Sequence, residues 1–480
     1  MSRIQYKDLR DWMRLVEEAG ELRAVDGATW QEDIGMATEL LNHAQQAPAA
    51  IFDAIPGYPK GYRVLSNALL SSNRLAMTFG LPLNMSKFEL SMELYRRTQG
   101  QELLPHVLVG EGPIMENVLE GEAVDVFKFP VPKWHEEDGG RYIGTGSYNI
   151  TRDPDEGWIN VGTYRVQAHD AKHVGFFISP GKHGRIHRDK YFARKEPCPV
   201  VVVAGGDPLI FCAASSELPY GTCEYDWVGA VRGEPVEVIK GKYTGLPIPA
   251  RAEIALEGFA RYDDLQKEGP FGEWTGYYAS ASRQEPRIEV KAIYHRNDPI
   301  ILGSPPNRPP DELSFYRSFM RSPLLKEELE KAGVPDVVAA WCHEAGGSRF
   351  FLAIAIKQRY PGHATQVGHV ASQCHVGAYA GRYVVVVDDD IDVTNLEEVI
   401  WAMCTRSDPA TSIDIIHRAW STTLDPRISP EAKEKGALWN SRAIIDACRP
   451  FEWRDKFPLV NMPSPEAKKK AVEKWGYLIK

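Results

Sequence analysis

Apolar residues Leu9, Trp12, Leu15 and Val16 fall three and four positions apart and predict an amphipathic helix close to the N-terminus. A second helix is expected over residues 33–44, ahead of the apolar run AAIFDAI at 49–55, which reads as a strand. Helix and strand signals alternate in this way up to about residue 110, the pattern of a small α/β unit. From 142 to 294 the character changes, and short β-rich runs at 200–204, 209–213 and 287–294, separated by Gly and Pro, predict a mostly β, barrel-like domain.

The stretch SPPNRPP at 304–310 marks a boundary, and a helix is expected from Asp311, with Pro323 interrupting or bending it. Strand runs at 351–356 and 383–387 then alternate with helices. The clearest helix covers 395–405, where Thr394 and Glu397 have capping-box spacing and Leu396, Val399, Ile400 and Met403 share one face. A charged helix is expected over 465–477, and no internal repeat is visible.

At 480 residues the chain is long enough for two to four domains of roughly 150 residues each. Lys plus Arg number 56 against 65 Asp plus Glu, a net charge of −9 without a basic stripe, so no nucleic-acid partner is expected. One basic cluster, KHGRIHRDKYFARK at 182–195, has the composition to read a phosphate on a small ligand; the shorter one at 468–470 reads as a solvated helix face. Seven cysteines without a CxxC pair point to reduced thiols. The charged N-terminus, and the lack of any apolar run near the roughly 18 residues a bilayer needs, lead to the expectation of a cytoplasmic protein without a membrane partner.

The most unusual string is Glu268-Gly-Pro-Phe-Gly-Glu273, in which two carboxylates bracket a turn of small residues. Such a pair raises one carboxyl toward a neutral-pH proton donor if both face one cleft, and is a solvated surface loop if they do not. In Gly157-Trp-Ile-Asn160-Val-Gly-Thr-Tyr-Arg165, period-two alternation puts Asn160, Gly162 and Tyr164 on one strand face and Arg165 on the other, with Ile159. His183 and Glu224 have no neighbour at metal-ligand spacing, so a metal role requires ligands converging from separate elements. The acidic run 388–392 follows a strand, where it either holds Mg²⁺ or opens the next helix. P-loop, dinucleotide-binding, nucleophile-elbow and HExxH motifs are absent from the sequence.

The strings DLRDWMRLVEEAGEL, DGGRYIGTGSYNITRDP, GWINVGTYR, LEGFARYDDLQKEGPFGEW, YPGHA and VVVVDDDIDV together resemble the UbiD family of reversible decarboxylases, which use prenylated FMN, and the match spans nearly the whole chain. The central region is similar to both the ferulic acid decarboxylase and the hydroxyarene carboxylate branches. The resemblance implies an α+β multidomain fold: an N-terminal α/β domain (1–110), a central split β-barrel that binds the flavin (111–305), a linking helix (306–333), a C-terminal α/β oligomerisation domain (334–460) and a tail helix (461–480).

It further implies that Arg165, Glu268 and Glu273 form the catalytic network, with Glu273 as proton donor. Asn160, His183 and Glu224 match the residues that hold a divalent ion, commonly Mn²⁺, against the cofactor phosphate. Thr145, Gly162, Ser215 and Ser216 fall near segments lining the flavin or a monovalent cation, K⁺ or Na⁺, with a one-residue insertion at Glu217. Ferulic acid decarboxylases carry a phosphate-contacting lysine where residues 373–378 read QCHVGA; Lys182 or Arg382 is the replacement expected here. The substrate pocket is expected from Asn307, Arg308, His375, Thr422 and Leu424, with Arg308 either reading a second polar group on an aromatic acid or facing solvent. Expected partners are an aromatic carboxylic acid and CO₂, a second copy of the chain in a homodimer or larger assembly, and a flavin prenyltransferase that supplies the cofactor. Competing readings are an FMN-dependent oxidoreductase, which gives the two glutamates no role, and a non-catalytic subunit of a multi-component carboxylase.

Overall fold

A computed structural model describes residues 4–479 apart from 217 and 280. The first helix, Leu9–Glu18, starts where the Asp8 carboxylate accepts the Asp11 amide, and it buries Leu9, Trp12, Met13 and Val16. The N-terminal sheet has four strands in the order Leu22–Asp26, Ala49–Asp53, Arg63–Ser66 and Ile300–Gly303. Its last strand arrives from far along the chain and pairs in parallel with Arg63–Ser66. By sequence order this strand lies in the expected central segment, yet its ladder is with the N-terminal sheet, so the stretch at 304–310 leaves from there.

A curled nine-stranded sheet makes the centre of the molecule, with most neighbours antiparallel. An interior strand, Cys198–Ala204, is buried throughout, which explains why it reads as a continuous apolar run rather than an alternating one. The run at 209–213 is not a strand: Pro208–Ser215 is a helix, opened by Asp207 accepting the Leu209 amide and by Pro208 in its first turn. That helix is buried on nearly every side, so its composition hides the 3.6-residue period.

Asp311 caps the linking helix, Glu312–Lys331, which runs through Pro323 without a break. A proline there removes the amide that would bond the Phe319 carbonyl; the Ser91 hydroxyl donates to that carbonyl instead, at 2.9 Å. The C-terminal sheet has the order Val337–Cys342, Phe351–Ile356, Tyr383–Asp388, Trp439–Ala447, Ile413–Trp420. In Leu396–Arg406 the cap is Asn395, which accepts the Glu397 amide, one residue after the expected Thr394. Thr394 bonds Asp392 instead, and the buried face is Val399 and Ala402, with Ile400 exposed. The acidic run ending this sheet's middle strand is structural: Asp388 and Asp390 pair with Arg406, and Asp388 also with Arg449. No helix among the described residues is long and apolar enough to cross a membrane.

Candidate active site

The strand Ile159–Gly162 ends three residues before Arg165, and Thr163–Arg165 form a link into the next strand, Val166–Ala168. Alternation therefore does not extend to Arg165; the pleat stops at Gly162. The link is tied down by the Asn149 side-chain Nδ2 donating to the Tyr164 carbonyl at 3.1 Å and by the Thr163 main-chain amide donating to the Ala214 carbonyl at 3.1 Å.

This link points the Arg165 guanidinium at both glutamates. Its Nε and Nη2 donate to the two oxygens of Glu268 at 2.8 and 2.7 Å, and its Nη1 donates to Glu273 Oε1. Glu268 closes the strand Ile254–Glu268, and Glu273 lies on the irregular turn that follows. At 1 % and 7 % exposure the two carboxylates are not a solvated surface loop. The guanidinium also lies 4.3 Å from the Phe177 ring centre and 5.2 Å from that of Phe271.

Burial pushes the Glu273 carboxyl up, Arg165 opposes that shift, and the neighbouring Glu268 charge adds to it, for a net rise. Burial would lower Arg165, but the charges of Glu273 and Glu268 outweigh it and hold the guanidinium firmly protonated. Tyr142 is pushed up by burial and then by Glu268, so it stays a phenol; its hydroxyl donates to Glu268 Oε1 at 3.3 Å.

The elements carrying Asn160, His183 and Glu224 converge around a second point. Glu224 opens the helix Glu224–Arg232, and its Oε2 accepts the Val161 amide at 2.7 Å, next to Asn160. His183 opens the helix His183–Ala193, in which Lys182 occupies the cap position without a side-chain cap bond. The Tyr164 hydroxyl, which arches over Gly162, lies 3.4 Å from Asn160 Nδ2 and accepts the Gly184 amide at 3.1 Å. Burial pushes Glu224 up to about 8, and the other groups that shift it are backbone amides and Asp226, none of them a cation. Nearby, His106 Nδ1 bonds Asp226 Oδ1 at 2.8 Å beside Cys223, whose thiol burial pushes up to about 12.

Other expected site residues are distributed differently. The Thr145 hydroxyl accepts the Ser304 amide at 3.1 Å, and the Ser215 and Ser216 hydroxyls both donate to the Cys212 carbonyl. Glu217 lies outside the described residues. Asn307 is buried with its side-chain Nδ2 unpartnered, Arg308 is exposed against Gly276, and His375 is exposed. Arg382 is engaged by both oxygens of Asp425, at 2.8 and 2.7 Å, and stacks on Phe350, which in turn packs on Trp274 beside Glu273. Thr422 and Leu424 are buried in the turn that carries Asp425. The C-terminal part meets the turn of Glu273 once more where Lys433 Nζ donates to the Ala279 carbonyl at 2.8 Å.

Sequence reading gave no role to Tyr142, Tyr164, Phe177, His135 or Asp138. Tyr142 and Asp138 lie in or beside the DGGRY string, whose adjacent glycines were the available signal that another backbone passes close by.

Three family models match the chain: the 3-octaprenyl-4-hydroxybenzoate carboxy-lyase N-terminal domain over residues 13–98, its Rift-related domain over 106–309 and its C-terminal domain over 314–447. The pyrrole-2-carboxylic acid decarboxylase of Pseudomonas aeruginosa is 32 % identical over 437 residues, which cover 88 % of this chain and 86 % of that protein. The vanillic acid decarboxylase of Sedimentibacter hydroxybenzoicus, in its open form, superposes with a TM-score of 0.85 at 30 % identity over 99 % of both chains. A UbiD-class enzyme of Pelotomaculum thermopropionicum in complex with FMN gives a TM-score of 0.85 at 25 % identity, covering 96 % of this chain and 98 % of that one.

Proposed function

The chain belongs to the UbiD family of carboxy-lyases, and from that premise we propose that it reversibly and non-oxidatively decarboxylates an aromatic or heteroaromatic acid through Arg165, Glu268 and Glu273. The observation that carries this reading is one buried guanidinium shared between two buried carboxylates, one of which burial keeps toward its protonated form.

Loss of CO₂ from an unsaturated carbon leaves an electron pair that no side chain stabilises, and prenylated FMN, when bound, supplies that electron sink. The residues fit such a group. Asn160, His183 and Glu224 offer an amide oxygen, an imidazole nitrogen and a carboxylate, a donor set for a hard divalent ion such as Mn²⁺. The buried, cation-free surroundings of Glu224 are those a divalent ion would offset. Lys182, at the start of His183–Ala193, would supply a positive charge for the phosphate. Thr145, Ser215 and Ser216 would line the flavin or a K⁺ or Na⁺ ion.

The chain's own groups then divide the work. A guanidinium has five N–H donors, and with Nε, Nη1 and Nη2 each giving one to the glutamates, Nη1 and Nη2 keep one each for the substrate carboxylate. Glu268, held bidentately, fixes the plane in which those two point. Glu273 gives its proton to the carbon that CO₂ leaves, and the resulting carboxylate is reprotonated from solvent. Phe177, Phe271 and Trp274 surround the network with apolar surface that limits water. The exposed Leu459, Met462, Val472, Trp475 and Tyr477, within and on either side of the helix Pro465–Trp475, support assembly with a second copy.

The test is co-expression with a flavin prenyltransferase, anaerobic purification, absorbance and cofactor mass, then a screen of phenolic and pyrrole carboxylic acids for CO₂ release. Turnover with bound prenylated FMN, lost in Glu273→Gln while flavin stays bound, is expected. A fully active Glu273→Gln removes the assignment of the donor, and a chain that takes up no flavin favours a non-catalytic subunit.

A further inference from the structure

The turn that carries both glutamates is held from behind by residues 135–140. The Asp138 carboxylate is buried, and its Oδ1 accepts the Gly272 amide, next to Glu273, at 3.1 Å. Its Oδ2 accepts the His135 main-chain amide at 3.1 Å and meets His135 Nδ1 at 3.1 Å. Gly139 donates its amide to the Pro270 carbonyl at 2.7 Å. Gln167 closes the seam, its Oε1 accepting the Gly269 amide at 3.1 Å and its Nε2 donating to the Gly139 carbonyl at 3.2 Å.

The two backbones approach too closely for side chains between them. A Cβ on Gly139 would sit 2.1 Å from the Gly269 carbonyl oxygen, and one on Gly272 would sit 2.9 Å from His135 Nδ1. The far side of His135 is anchored as well: Nε2 lies 2.8 Å from Asn307 Oδ1, and the Asn307 amide donates to Asp311, the cap of the linking helix. Both ring nitrogens thus meet oxygens, the arrangement of a ring that donates on both sides. Burial alone would push the ring down, but Asp138, with Asn307 and Glu39 adding, holds it above its ordinary value.

Glu273 itself sits on irregular backbone, with Gly269 at φ +82° and a glycine on its N-terminal side. Among the described residues its own main chain makes short-range bonds, its amide to the Tyr277 carbonyl and its carbonyl to the Gly276 amide. Arg165 bonds the carboxyl itself, but the turn beneath it needs its own restraint to keep that carboxyl within reach of one reacting carbon, because a misplacement of about 1 Å costs on the order of 100-fold in rate.

We propose that Asp138, fixed by His135, is a positioning residue that holds the Gly272 amide and so sets where the Glu273 carboxyl stands against Arg165. This rests on the reading of Glu273 as proton donor.

The experiment uses the full-length holoenzyme, with an acid that the parent turns over, and compares Asp138→Asn, His135→Ala and His135→Asn. In Asp138→Asn an amide NH₂ replaces the acceptor of two donors, and in His135→Ala the ring bond is lost. The Nδ2 of an asparagine at position 135 stands where the imidazole Nδ1 was and can renew that bond. Expected are kcat values lower on the order of 10- to 100-fold in Asp138→Asn and His135→Ala, KM within twofold, unchanged flavin content, and substantial recovery in His135→Asn. Amide hydrogen exchange over residues 269–276 should quicken in Asp138→Asn while that of 159–162 does not.

A kcat within twofold of the parent, or unchanged exchange over 269–276, overturns the proposal. If Asp138→Asn does not fold, His135→Ala, which keeps the carboxylate, decides by the same two readings. An inactive parent counts instead against the reading of Glu273 as donor, and the exchange comparison then decides the positioning role by itself.

Discussion

Arg165 and Glu268 face each other edge to edge, Nε to Oε1 at 2.8 Å and Nη2 to Oε2 at 2.7 Å, in a site that leaves Glu268 only 1 % exposed. The remaining guanidinium nitrogen turns to Glu273, so one planar cation fixes the relative position of two carboxylates that come from a strand end and an irregular turn. A lysine has the charge but not the fork. Arg165→Lys should lower kcat/KM by on the order of 100-fold. It should also cost about 3 kcal/mol of stability, because Glu268 stays buried with fewer donors. Steady-state kinetics with denaturant unfolding checks both, and a variant with normal kinetics and stability would show that the fork is dispensable.

The Glu273 carboxyl is raised in the folded protein, so its neutral form is favoured there relative to the unfolded chain. The sign follows from linkage: its contribution to stability is fully present below the unfolded carboxyl value and is lost as pH rises through the folded one. With Glu273 as the proposed proton donor, catalysis needs the same neutral form, so kcat should be flat on the acid side of that folded value and fall tenfold per pH unit above it. A pH profile of kcat checks this, and a kcat that rises through the same range would assign the group as a base.

Glu224→Gln keeps the shape of the side chain and its acceptor for the Val161 amide but removes the buried charge beside Asn160. Mn²⁺ added to the metal-free parent should raise its Tm, as any ligand of the native state alone does. The same addition should leave the variant's Tm where it was, and elemental analysis should find the purified variant depleted in divalent metal. Equal Mn²⁺ stabilisation of both proteins would remove Glu224 from the ligand set.

The two glutamates were legible as a motif because glycine and proline between carboxylates are unusual, but their burial was not. It depends on Asp138 and Gln167, more than a hundred residues earlier, reaching the same turn. Asn160, His183 and Glu224 carry no local signal at all, since they lie on a strand and two helix starts that come together only in the folded chain. The fold was readable where the period was clean, as in Leu9–Glu18, and was misread at Pro208–Ser215, where burial on nearly all sides erases the period. Long-range pairing, such as Ile300–Gly303 joining the N-terminal sheet, has no sequence period to betray it.

Pro323 offers a stability test far from the chemistry. The linking helix tolerates it because the Ser91 hydroxyl donates to the Phe319 carbonyl that the proline leaves without an amide. Ser91→Ala should therefore orphan a buried carbonyl and cost about 1–2 kcal/mol. In a Pro323→Ala background the restored amide can serve that carbonyl, and the same Ser91→Ala change should cost only a fraction of that amount. Denaturant unfolding of the two single variants and the double variant forms the cycle. A Ser91→Ala cost that is the same in both backgrounds would mean that the serine stabilises the protein by some other contact than this one.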